Sequence, residues 1–429
     1  MKAVSTRGRP VIELKNIVIP ASVRGFQSAS LIFDIFIDNG LLSHIKPAQA
    51  AIESGVTQTP SGMLIPALAD LHVHLDKTYV VQEVGAADGD LFKAIGLMAE
   101  HRAHWSGAAI HQRMARAIQE AYVAGTRAMR THLDWPQADA PRSLAEFEKL
   151  RDAWRGRLAL QCASLTPLDE FRVTAAPGIT PGERIAQQLA QVNQRCDSRH
   201  GEAALLGAFV YRNDGLHEKL QTVFELAARY QLDLDFHVDE GLDEDACGLR
   251  AIAELKIQNR FNGKVTCGHA CSLSMQHRAD AEQTLRLCAQ AGIHLVALPS
   301  TNLYLQGAWD QTPVARGLTR LKEAAALNVF TSIATDNVAD GFFPYGSYDL
   351  LDTFALGVQV GHLSPADAWL PAISSRPSRA MGLPWDGQIA EGCPADFILL
   401  NARNAYELVT PAGRQRRVIR HGDFLDTST

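Results

Sequence analysis

The sequence predicts an α/β chain, a (β/α)8 TIM barrel with a small β domain built from both termini, and three observations carry that expectation. The length of 429 residues exceeds the roughly 250 that a TIM barrel needs, which leaves material for a second unit. From residue 63 to 336, β-rich segments alternate with long amphipathic ones, the order of repeated βα units rather than of a sandwich or a bundle. Short alternating runs stand outside that region at both ends. The expected division is therefore 1–62 plus 386–429 as the small β domain and 63–385 as the barrel.

Taken in order, Met1–Pro10 carries Lys2, Arg7 and Arg9 but no apolar core with a small-residue cleavage site, so it does not read as a secretory signal. Val11–Pro20, Ser30–Ile37 and Leu41–Pro47 alternate as half-buried strands, and Asp396–Leu400 and Arg417–Leu425 do the same near the other end. Barrel strands are expected at Leu64–Leu75, Thr126–Leu133, Leu158–Leu165, Leu205–Tyr211, Leu232–Asp239, Lys264–Ala270, His294–Pro299 and Asn328–Asp336. Between them, apolar residues near a 3.6 period predict helices over Ala109–Ala124, Leu144–Trp154, Gly182–Asn193, Leu216–Ala228, Ala246–Gln258 and Gln283–Ala291. Eight βα units close a barrel whose active site forms at the C-terminal ends of its strands.

A chain that is 46% hydrophobic and 21% charged is neither disordered nor a disulfide miniprotein. No apolar run approaches the roughly 18 residues of a membrane span, and even Leu31–Phe36 is broken by Asp34. With 41 Lys and Arg against 47 Asp and Glu, and no long basic block, a nucleic-acid partner is not expected. Seven cysteines without C-x-x-C spacing read as free thiols of a reducing compartment, which implies a cytoplasmic address. The expected partner is a small molecule.

The chemistry-bearing residues fall at strand ends. His72 and His74 lie two apart at the end of the first barrel strand, so both imidazoles share one face. His237 ends the fifth strand with Glu240 three residues on, His269 ends the sixth, and Asp336 ends the eighth, next to the first in a closed barrel. Cys267 and Cys271 flank His269, but no second pair stands nearby, so they read as buried fillers. His101, His104 and His111 fall in a helical stretch and read as solvent-facing, while His132 reads equally as packing or as a support behind the site. One divalent ion, Zn²⁺ or Fe²⁺, held by His72, His74, His237 and Asp336 would bring the pKa of water toward neutrality. His269 would orient that nucleophile, Glu240 would move a proton to a ring nitrogen, and Asp336 would help protonate the leaving amine. Gln306, Asn337, Phe342 and Phe343 are candidates for the wall that reads and stacks on a planar ring.

On these residues the sequence resembles the amidohydrolase superfamily, and within it the bacterial cytosine deaminase group with its s-triazine relatives. The resemblance runs through Pro66 to His74, Arg130-Thr131-His132, His237-Val238-Asp239-Glu240, His269, Asn302 to Gly307, Asp336, Pro344-Tyr345-Gly346 and Ile389 to Asp396. It implies metal-dependent hydrolytic deamination of a small nitrogen heterocycle, with the ligand and proton-transfer roles just given. Ala208-Phe209-Val210-Tyr211 has no lysine at the fourth-strand ligand position, which implies a mononuclear rather than a carbamylated-lysine site. Where the resembled cytosine deaminases have a glutamine after strand three, a second Asp and a Trp, this chain has Ser164 to Asp169, Asn337 and Phe342. A pocket altered in this way pairs with a different donor and acceptor pattern. Release of an alkylamine from an N-substituted triazine-like ring, cyclic-amide hydrolysis and a non-catalytic metal-binding scaffold stay open, as does homo-oligomer formation.

Overall fold

The computed structural model describes residues 11–48, 59–88, 90–173 and 178–426, so Met1–Pro10 lies outside the described residues. Two sheets organise the chain. The first strands are β1 (Ile12–Val18), β2 (Ile32–Asp38), β3 (Leu41–Pro47) and β4 (Gly62–Pro66). In β2 the period of two puts Phe33, Ile35 and Ile37 into the core while their neighbours stay half-buried. Asn39 and Gly40, both at positive φ, form the two-residue turn that returns β2 into β3, the turn that an Asn-Gly pair favours.

The chain then enters the barrel through β5 (Leu68–Val73), β6 (Thr126–Asp134), β7 (Ala159–Pro167), β8 (Ala203–Val210), β9 (Leu234–Val238), β10 (Val265–His269), β11 (His294–Ala297) and β12 (Phe330–Ile333). These eight pair in sequence order, all parallel. A bridge between Val73 and Asp336, with Asp336 N–H donating to the His72 carbonyl at 2.9 Å, joins the last strand's end to the first. The chain returns to the first sheet with β13 (Phe397–Leu400), β14 (Arg416–Arg420) and β15 (Asp423–Phe424), giving the order β15-β14-β13-β4-β1-β2-β3. Its inner face packs on the barrel's flank, where Ile35, Ile65 and Phe397 share a core with Leu350, Leu351 and Phe354.

The expected first barrel strand, Leu64–Leu75, is in fact two strands in two sheets. Pro66 pairs with Phe397, Ala67 N–H donates to the Asp396 carbonyl at 2.9 Å, and Leu68 N–H donates to Gly125 at 3.0 Å. The chain therefore changes partners at Ala67 without a turn, and the continuous apolar run hides the change. The connection from β5 to β6 also holds a helix for which the sequence set no bounds beyond a helical stretch around His101, Leu91–Arg102, before Gly107–Ala124. Asp90 accepts from the N–H groups of Phe92 and Lys93 to start it, and Ser106 caps the helix that follows. The seven cysteines are all free, and among the described residues no helix is long and apolar enough to cross a membrane.

Candidate active site

Four side-chain atoms converge at the C-terminal mouth of the barrel. His72 Nε2 lies 3.1 Å from His237 Nε2, which lies 3.2 Å from His74 Nε2. Asp336 Oδ1 stands 3.5 Å from His72 Nε2 and 3.1 Å from His74 Nε2. All four residues are buried. Both oxygens of Asp336 lack a hydrogen-bond donor, as do Nδ1 of His72 and Nδ1 of His237. Ring nitrogens facing one another at such distances cannot all be satisfied by protons. Donor atoms around a divalent ion with bonds of about 2.0–2.2 Å stand roughly 3.0–3.5 Å apart, so the set fits such an ion. Burial, followed by neighbouring imidazoles or Lys77, drives the pKa of each of the three histidines well below the usual value and keeps them in the neutral form that binds metal.

Local backbone puts these groups in place. The alternation of β5 sends His72 and His74 to one face, and Asp336 is held beside them by the bridge that closes the barrel. Asp336, His269 and Asp239 all adopt positive φ, unusual for residues with a side chain and a mark of strain at strand ends. Gly268 makes room for His72: a Cβ there would lie 2.7 Å from His72 Cε1 and 2.8 Å from Nδ1.

A second group faces the cluster. Glu240 Oε1 is 3.3 Å from His269 Nδ1, and Asn302 Nδ2 is 3.0 Å from the same nitrogen. With the Asn302 amide donating to Nδ1, the ring proton sits on Nε2, which is buried and has no acceptor. Burial, then the nearby Asp336, holds the Glu240 carboxyl well above the ordinary carboxylate range, and burial pushes His269 down to about 4. A carboxyl that holds its proton at higher pH is suited to move one.

Glu240, His237, His74 and His269 open onto a cavity of about 380 Å³. Asn337 and Phe342 line it too. Gln306 instead lines an adjoining cleft and donates to the Glu240 carbonyl at 3.4 Å, while Phe343 packs edge-on against Tyr304 and Tyr345, outside the cavity wall. The Asn337 amide donates to Asp340 at 2.6 Å, and Asp340 also accepts from the N–H groups of Phe342 and Phe343, which fixes the loop after β12. His132 is buried behind the cluster, its ring 3.9 Å from that of His72 and its Nε2 3.1 Å from Asp235. His104 is exposed, His101 is half-buried, and His111 pairs with Glu146 at 3.2 Å.

Sequence reasoning gave no role to Lys77, Asp134, Arg102, Trp135 or Phe209, all in the cavity wall. Asp134 joins Lys77 at 2.6 Å and Arg102 at 2.5 Å. Burial opposes charge on both Lys77 and Asp134. Their pairing prevails, raising the pKa of Lys77 and holding Asp134 down at about 2. Lys77 also lies 5.1 Å from the centre of the Phe342 ring. The signal that could have found it was its place three residues after His74 at a strand end.

Residues 211–424 match the model of a family described as the amidohydrolase family. The chain is 36% identical over 424 residues to the pterin deaminase of Rhizobium rhizogenes, covering 97% of this chain and 94% of that one. It is 20% identical over 419 residues to the N-isopropylammelide isopropyl amidohydrolase of a Pseudomonas species, covering 92% and 97%. In fold it is similar to the crystal structure of 5-methylcytosine deaminase from Klebsiella pneumoniae, with a TM-score of 0.79, 24% identity and coverage of 97% and 98%.

Proposed function

The chain belongs to the amidohydrolase family and is a hydrolase of carbon–nitrogen bonds, and from that premise we propose that it deaminates a planar amino-oxo heterocycle, with fused rings of pterin type as the first substrates to test. The observation that carries the reading is the buried Glu240 carboxyl, 3.3 Å from His269 and opening with His74 and His237 onto one cavity. The 36% identity to a pterin deaminase supports the choice of ring.

His72, His74, His237 and Asp336 would hold one divalent ion, Zn²⁺ or Fe²⁺, which supplies the Lewis acidity that makes water a nucleophile near neutral pH. Glu240 takes a proton from the attacking water and passes it to the adjacent ring nitrogen. His269 donates through Nε2 and orients the attack on the carbon that bears the amine. Asp336 relays the second proton to the amine, the carbon–nitrogen bond breaks, and the products are the oxo ring and ammonia. Phe342 offers an aromatic face to the ring and Asn337 an amide to its edge. We further propose that Gln306 acts on the site through the Glu240 carbonyl, and that Phe343 supports the aromatic loop rather than the ring.

The test is ammonia release from pterin, isocytosine, cytosine and N-isopropylammelide, with metal-analysed protein before and after chelation. Ammonia from pterin, abolished by chelation and restored by Zn²⁺ or Fe²⁺, is the expected result. Isopropylamine from the triazine with no ammonia from any ring overturns it in favour of dealkylation.

A further inference from the structure

One wall of the cavity is made by a helix that turns carbon toward the substrate. Leu91, Phe92, Ile95 and Met98 of Leu91–Arg102 all line the cavity, at spacings that share one helical face. Phe92 is 45% exposed and Ile95 37%, and although the Phe92 ring stacks on Tyr211 beside Arg212, both side chains stay accessible above the site rather than being spent on the core. Across from them stand Trp135, at the end of β6, and Phe209 of β8. The charges beside this wall are answered from within: Asp134 binds both Lys77 and Arg102, and the buried Asp76 carboxyl stands beside the same two cations, so two acids face two bases. The cavity's volume of about 380 Å³ leaves room beside a planar ring system for a further substituent.

We propose that the substrate carries an apolar arm on the ring edge away from its leaving amine, and that the arm packs between the Leu91–Arg102 helix, Trp135 and Phe209. The reacting carbon belongs near Glu240 and His269, so whatever reaches the helix is the far side of the molecule. This inference rests on the deaminase reading and adds to it the class of substituent: alkyl or aryl rather than anionic or sugar-like.

The probes are pterin and pterins carrying a methyl, ethyl, propyl or carboxyethyl arm on the pyrazine ring, assayed for ammonia release. Each methylene buried in such a wall is worth about a threefold to fourfold gain in kcat/KM, so the alkyl series rises stepwise and the carboxyethyl compound falls below the propyl one. In the double variant Phe92→Ser with Ile95→Asn, the ratio of kcat/KM for propyl over unsubstituted pterin drops toward one. Both positions are exposed, and an unchanged unfolding midpoint shows that the fold persists. A flat alkyl series, or a preference for the carboxylate, overturns the proposal while leaving the deaminase reading intact. If no pterin releases ammonia, the choice of pterin-type rings fails separately. Calorimetric Kd values for the deaminated oxo compounds with the same arms then decide the matter: tightening with chain length upholds the apolar wall, and constancy removes it.

Discussion

His72 owes its place to a neighbour with no side chain. Because a Cβ on Gly268 would press within 2.7 Å of the imidazole, Gly268→Ala is expected to swing His72 out of the donor cluster and weaken metal retention about 10- to 100-fold, read by metal content after dialysis against a chelator series. Glu240→Gln keeps the shape of the carboxyl but cannot move a proton, so kcat is expected to fall about 10²- to 10⁴-fold with metal content unchanged. The candidates His72, His74, His237, His269 and Asp336 were legible because strand ends carry chemistry in a barrel and a two-residue spacing fixes a shared face. Lys77 and Trp135 were not, since a lysine after a strand or a tryptophan before a proline carries no periodic signal. Their meaning comes from contacts with Asp134 and the distant helix, which only folding brings about.

At the scale of elements, Asp239 links the site to the helix that follows its strand. It ends its strand segment at positive φ and accepts from the N–H groups of Gly248 at 3.0 Å and Leu249 at 2.9 Å, capping Gly248–Gln258 from outside. Asp239→Ala leaves two buried donors unanswered and is expected to lower stability by about 1–3 kcal/mol, seen as a shifted urea midpoint at constant slope. Strands from β6 onward were legible in sequence because each is a β-rich run bounded by turn residues. The break at Ala67 was not, because Leu64–Leu75 is apolar on both sides of it and the change of sheet leaves no polar or Gly-rich mark. The Leu91–Arg102 helix had no bounds in the sequence, where only its end around His101 read as helical: Ala94 faces the core while Leu91, Phe92, Ile95 and Met98 face the cavity, so its carbon is spread around the axis instead of forming one buried stripe.

Across the whole molecule, charge and topology tie the two sheets together. Arg420 of β14 donates to the carbonyls of Tyr122 at 2.7 Å and Thr126 at 2.8 Å, joining the terminal sheet to the end of one barrel helix and the start of β6. At this same end of the barrel, where the strands begin, His294 Nε2 meets Ser332 Oγ at 2.7 Å, and burial, then the charges of Arg130 and Arg376, push its pKa down to about 3. The unfolded imidazole takes its proton near pH 6.5, so between about 6.5 and 3 the unfolded chain binds more protons and stability rises with pH through that window. From about pH 7 to pH 5 this residue is expected to cost the folded state about 1–2 kcal/mol, a loss that His294→Asn escapes, measured as the difference in urea unfolding between the two proteins at each pH.

The place of β4 between β1 and β13 also sets a schedule for synthesis. Ile65 leaves the ribosome early, yet its antiparallel partner Ile398 comes only after the entire barrel has been made. Until then β4 presents a bare row of main-chain donors and acceptors on an apolar strand, an invitation to pair with another nascent chain. A chain that stops short of Phe397 keeps that edge open permanently, so loss of a short C-terminal piece exposes the interior of the N-terminal half.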